Sequence, residues 1–187
     1  MIGVLALQGG FIEHIHALNQ LGADNFEIRK KEDLTNKDIT GLILPGGEST
    51  VMGKLLHETG LWQPLKYLID NGTPVFGTCA GLILLAKKME NDANVYFDAI
   101  DISVQRNAFG RQLGSFNTNE HFADIGLVPM TFIRAPYINR AAPNVDILAH
   151  TQGHIVAAKH RNILVTAFHP ELTEDLRVHE YFLKNFN

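Results

Sequence analysis

The run Val75-Phe76-Gly77-Thr78-Cys79-Ala80-Gly81-Leu82-Ile83-Leu84-Leu85 constrains this chain more than any other stretch. An apolar segment of strand length enters a Gly-x-Cys-x-Gly turn, and a second, of helical length, leaves it. That is the layout of a nucleophile elbow, a strand-to-helix turn that lifts one side chain clear of a sheet. The flanking glycines fit this layout because side chains there would collide with the neighbouring strand and helix. A lone cysteine is often just a small buried hydrophobe. Cys79 is the only cysteine in 187 residues, and two glycines placed symmetrically around it at a strand–helix junction favour a catalytic nucleophile.

An elbow needs a sheet behind it, and the rest of the chain supplies one. Residues 2–7 form a continuous apolar run, as expected of a parallel strand buried on both faces. Ile12, Ile15, Leu18 and Leu21 then recur at helical spacing until Gly22. Phe26–Ile28 reads as a second strand, 33–40 as polar connection and Gly41–Leu44 as a third strand. Helices follow, one with Val51, Met52, Leu55 and Leu56 on a common face, another with Leu61, Leu65, Leu68 and Ile69. This alternation predicts a doubly wound sheet with right-handed crossovers. Beyond Lys88 the pattern changes. Ile100, Ile102 and Val104 alternate with polar residues, 106–116 reads as loop, and 130–133 as a strand. Three short strands, 145–150, 154–159 and 163–168, are joined by tight turns as an antiparallel meander. Thr173 is expected to cap a last helix carrying Glu174 and Asp175 in its first turn. The fold class is therefore α/β, a doubly wound mixed sheet, mostly parallel with an antiparallel extension. With no repeat or linker in sight, residues 1–187 are expected to form one domain.

Composition narrows the function classes. A net charge of −4 lacks the basic excess of a nucleic-acid binder. No apolar run reaches the roughly 18 residues of a membrane span. The first residues, Met1–Leu7, have no basic segment and read as a core strand rather than a signal peptide. One cysteine suits a reducing cytoplasm, the expected location.

A thiol nucleophile needs a base, and the base needs an orienting group. His169-Pro170-Glu171 directly follows an apolar strand, at the kind of strand end where reacting groups collect in α/β sheets. In an extended segment residues two apart point the same way, so Glu171 can hold the His169 ring. The other histidines lack such a partner. His14 and His16 are two apart on a helix and face different directions. His150, His154 and His160 have no carboxylates in ligand spacing, so no metal site is expected. The third element is Gly46-Gly47-Glu48-Ser49, a diglycine at a strand end that can turn backbone N–H groups toward an oxyanion. Gly46, Gly47 and the N–H of Ala80 together make a candidate oxyanion hole.

Gly-Thr-Cys-Ala-Gly with a downstream His-Pro-Glu resembles the class I, triad-type glutamine amidotransferases. More narrowly, 3–9, 44–50, 106–112, 133–136 and 168–173 are similar to the glutaminase subunits of pyridoxal 5′-phosphate synthase, over nearly the whole chain. One departure is His160-Arg161-Asn162, where Gln-Gly-Asn is expected, in a turn away from the triad. The resemblance implies a class I glutamine amidotransferase-like fold and hydrolysis of glutamine, with ammonia passed to a separate, barrel-shaped synthase subunit. It implies Cys79, His169 and Glu171 as the triad. Gly47, Glu48 and Ser49 would hold glutamine, with Arg106, Ile133 and Arg134 closing the pocket; an arginine fork can bind both oxygens of the substrate carboxylate. Pyridoxal phosphate is then the partner's product, and no cofactor is expected here. A same-fold hydrolase of another amide, or a non-catalytic scaffold, are the alternatives. The Gly46-Gly47 peptide is also a candidate switch, with 8–10 as the contact through which a partner would turn it.

Overall fold

The computed structural model describes residues 1–90, 92–107, 109 and 114–186. Its first half holds four parallel strands: β1 (Ile2–Leu5), β3 (Gly41–Leu44) and β4 (Val75–Thr78), all buried, and β2 (Asn25–Ile28), an edge strand in which only Ile28 is buried. The crossovers are α1 (Phe11–Gln20), α2 (Ser49–Glu58) and α3 (Trp62–Asp70). After the elbow come α4 (Ala80–Leu85), β5 (Ala86–Met89) and β6 (Ile100–Gln105). β7 (Ser115–His121) and β8 (Leu127–Ile133) pair as a separate two-stranded ribbon. β9 (Tyr137–Ala141), β10 (Asp146–Thr151), β11 (His154–His160) and β12 (Ile163–Thr166) precede the last helix, α5 (Arg177–Asn185).

The main sheet runs β2-β1-β3-β4-β12-β11-β9-β6-β5, with β10 paired to β11. The order matters most at its centre. β4 is flanked by β3 on one side and β12 on the other, all three parallel. Their carboxyl ends therefore lie side by side, and each leads into one of the three motifs singled out in the sequence. The mixed sheet agrees with the expected class, and the 145–168 meander is antiparallel as read.

Several local readings need correction. α4 is a six-residue helix followed at once by β5, because the chain must rejoin the sheet beside β6. Val51 is exposed, and α2 instead buries Ser49, Met52, Gly53 and Leu56. Part of the 33–40 connection is a 3₁₀ turn, Lys31–Leu34. Residues 115–116, read as loop, belong to β7, whose alternation carries too few apolar side chains to signal a strand. β6 is more buried than an alternating strand suggests, since Ser103 is also covered. The last helix begins at Arg177, not at Thr173. Asp175 accepts from the Arg177 N–H at 3.0 Å, while Thr173 accepts from the Asp175 N–H at 3.3 Å in the preceding turn. Ala108 and 110–112 of the 106–112 motif lie outside the described residues. Among the described residues no helix is long and apolar enough to cross a membrane.

Candidate active site

Cys79 follows β4 with φ 49° and ψ −97°, a conformation that non-glycine residues adopt only where the surroundings impose it. What imposes it is on both sides. The Cys79 N–H donates to the Thr166 carbonyl at 2.8 Å, tying the turn to the end of β12. Behind it, a side chain on Gly77 would meet the Gly81 backbone at 2.7 Å, and one on Gly81 would strike the Leu44 carbonyl. The elbow glycines are thus demanded by close backbone approach, as the spacing predicts.

β12 continues through Ala167 and Phe168 to His169, whose N–H donates to the Thr131 carbonyl of β8 at 2.8 Å. His169-Pro170-Glu171 is not extended. Pro170–Leu172 forms a 3₁₀ turn, because proline favours such a first turn and the chain bends back under the site. The turn still brings His169 Nδ1 to 2.7 Å from Glu171 Oε1. Burial disfavours a charge on His169, but hydrogen bonding to Cys79 and Glu171 and attraction to both raise its pKa to about 10. Burial likewise pushes Glu171 up, yet the hydrogen bond and charge of His169 hold it below the ordinary carboxylate value.

Gly46 lies against both reacting side chains. A Cβ there would hit the His169 ring and stand 3.4 Å from the Cys79 Cβ. Its carbonyl accepts from the Gly10 N–H at 3.0 Å. Next to it the Gln8 side-chain oxygen accepts from the Glu48 N–H at 2.8 Å. The loop 8–10 is therefore bonded directly to the diglycine segment. Gln8 was expected only as part of a partner-contact loop; its side chain proves to be bonded to the Glu48 backbone as well.

Glu48 caps α2, accepting from the N–H groups of Thr50 (3.2 Å) and Val51 (2.8 Å). Arg106 bridges Glu48 at 3.1 Å and Asp92 at 3.2 Å. The Ser49 hydroxyl is buried without a hydrogen-bond partner among the described residues. Cys79, His169, Glu171, Gly46, Gly47, Glu48, Ser49, Ala80, Arg106, Ile133 and Arg134 all line one cavity of about 510 Å³. The sequence motifs, scattered from residue 46 to 171, converge on a single concave site. Among the described residues no group of three potential metal ligands is gathered.

Residues 4–187 match the SNO glutamine amidotransferase family. The chain belongs to this family. Subunit PdxT of pyridoxal 5′-phosphate synthase from Streptococcus pneumoniae is 51% identical over 184 residues, covering 97% of this chain and 95% of the relative. Its counterpart from Desulfitobacterium hafniense is 52% identical over 186 residues, covering 100% and 93%. A crystal structure of a glutamine amidotransferase superposes with a TM-score of 0.91 at 43% identity, over 98% of this chain and 97% of the other.

This SNO family member carries a set of buried titratable groups behind the elbow. His14 and His179 are fully enclosed, and His14 Nε2 lies 3.5 Å from Glu171 Oε2. Burial drives both histidines below their ordinary value, His179 to about 3. Each remains neutral when folded but takes up a proton when unfolded below about pH 6.5. Stability from this source is therefore lost as pH falls from about 6.5. His169 has the opposite sign: its raised value contributes stability that is complete below about pH 6.5 and lost as pH rises toward 10. The unfolding free energy should peak near neutrality, with limbs of about 1.4 kcal/mol per pH unit for each group out of step. Urea unfolding at pH 4.5, 6.5 and 8.5 measures both limbs, and a profile flat across that range would contradict these environments.

Proposed function

We propose that the chain, as one glutaminase domain, hydrolyses L-glutamine to L-glutamate and ammonia and supplies the ammonia to a synthase subunit that makes pyridoxal 5′-phosphate. The observation that carries this reading is the parallel β3-β4-β12 triplet, which delivers Gly46-Gly47, Cys79 and His169 to one cavity. The 51–52% identity to PdxT subunits supports the same substrate and the same kind of partner, and a lone cysteine suits the cytoplasm. A barrel-shaped synthase is the expected acceptor.

In this reaction the Cys79 sulfur attacks the side-chain amide carbon of glutamine. The oxyanion is met by backbone N–H groups at Gly47 and Ala80, next to Gly46. His169, which its surroundings keep protonated at neutral pH, gives its proton to departing ammonia. The neutral imidazole then takes a proton from water, which hydrolyses the γ-glutamyl thioester. Glu171 orients the ring through Nδ1 and stabilises its charge. Ser49 offers an unpartnered buried hydroxyl to the substrate, and Gly47 and Ile133 wall the pocket. Arg134 makes no ion pair among the described residues and is the freer fork for the glutamine carboxylate. Arg106 acts on the substrate through Glu48, which it already holds.

Ammonia released without an acceptor is wasted, so turnover should depend on the partner. Contact at 8–10 would act on the diglycine through the Gly10–Gly46 bond. One misdirected oxyanion donor costs roughly 10²–10³ in rate. Glutaminase kinetics with and without the synthase subunit should show that increase in kcat, with little change in KM. Full turnover of the free subunit would remove the gate, and absence of glutamate in both conditions would remove the function.

A further inference from the structure

Glu171 Oε1 is committed to His169, while Oε2 is buried and lacks a hydrogen bond of good geometry among the described residues. A buried carboxylate oxygen short of donors is costly, so the polar groups near it matter. His14 Nε2 lies 3.5 Å from it. The same nitrogen lies 3.1 Å from Thr78 Oγ1, and His14 Nδ1 lies 2.9 Å from His179 Nε2. His179 Nδ1 has no hydrogen-bond partner among the described residues.

These contacts select one tautomer. Were the His14 proton on Nδ1, it would go to His179 Nε2 and force the His179 proton onto Nδ1, an orphaned buried N–H. His14 Nε2 would then accept from the Thr78 hydroxyl but turn a bare lone pair toward the Glu171 carboxylate, leaving Oε2 without a donor. With the proton on Nε2, His14 donates toward Glu171 Oε2 and Thr78, His179 Nε2–H donates to His14 Nδ1, and the only orphan is a bare nitrogen lone pair. The second arrangement carries fewer penalties.

We propose that His14 is a positioning residue of the triad, its Nε2–H holding the second oxygen of Glu171 so that the first is presented to His169. This rests on the reading that Cys79, His169 and Glu171 hydrolyse glutamine. Burial keeps His14 neutral, so it orients the carboxylate without cancelling the charge that Glu171 directs at His169. The groups around His14 are Glu13 on its own helix, Thr78 on β4, His179 on α5, and His169 and Glu171 on the 3₁₀ segment.

Nitrogen-15 NMR of the labelled full chain reads the tautomers directly. Nε2–H forms at both His14 and His179 are expected, and an Nδ1–H form at His14 overturns the proposal. Kinetics with the synthase subunit present supply a second test. His14→Leu should lower kcat about 10- to 10²-fold, the effect of losing one hydrogen bond to a charged group, with KM changed less than about threefold. His14→Gln, whose amide N–H can occupy the Nε2 position, should regain most of that loss. In a Glu171→Gln background His14→Leu should cost less than about threefold more, because its effect passes through the missing carboxylate. A folded, fully active His14→Leu, or losses that multiply in the double variant, overturns the proposal. If His14→Leu does not fold, His14→Gln and the tautomers decide. An impaired Glu171→Gln beside a fully active His14→Leu removes this proposal alone. A fully active Glu171→Gln removes the triad reading and this proposal with it.

Discussion

Cys79→Ala is expected to reduce glutamine hydrolysis to background, a loss on the order of 10⁶-fold by analogy with other removed nucleophiles. The size follows from covalent chemistry: without sulfur there is no thioester, and the remaining groups only bind and polarise the amide. The fold should survive. Cys79 is 7% exposed, and its strained backbone is held by the Thr166 hydrogen bond and the elbow glycines rather than by its sulfur. Alanine occupies the same φ of 49° with no larger side chain. Glutamate release by the purified variant, with its thermal unfolding compared to wild type, separates lost chemistry from lost structure. Substantial turnover by a folded Cys79→Ala would show that another group attacks the amide.

His169→Asn should come close to the same loss. It removes the proton donor for ammonia and the base for the second step, and it cuts the link from Glu171 through the imidazole to the sulfur. Glu171→Gln is a milder change that leaves the imidazole in place. A loss of about 10²–10⁴-fold is expected there, since the ring loses a charged partner and part of its orientation. The ordering matters more than either value. Pre-steady-state kinetics should show His169→Asn failing at acylation. A Glu171→Gln chain as active as wild type would reduce the triad to a Cys–His pair.

The centre of the molecule was legible because close packing there fixes the residue type at a short, readable spacing. Gly77 answers to the Gly81 backbone and Gly81 to the Leu44 carbonyl of β3, so two glycines four apart around Cys79 announce the elbow. The buried parallel strands read as unbroken apolar runs for the same reason: both faces are covered. Elements whose partners lie far away were less visible. β7 alternates with mostly polar residues, and β9 is a five-residue strand with only Ile138 fully buried, so neither carries a periodic signal. The His169–Glu171 pairing was expected from an extended segment but arises in a 3₁₀ turn, since both geometries bring those side chains together. His14 was passed over because helix periodicity could say that it faces away from His16. It could not say that Glu171 and His179, from the other end of the chain, would meet it there.

The proposed hydrolysis on Cys79 is tested most directly by a glutamine analogue that carries an electrophile in place of its side-chain amide. Incubated with the full chain and its synthase partner, it should label one residue, and peptide mass spectrometry should place the adduct on Cys79. Glutaminase activity should fall in proportion to labelling, and excess glutamine should protect. Labelling of another residue with loss of activity, or full turnover after complete modification of Cys79, would contradict the mechanism.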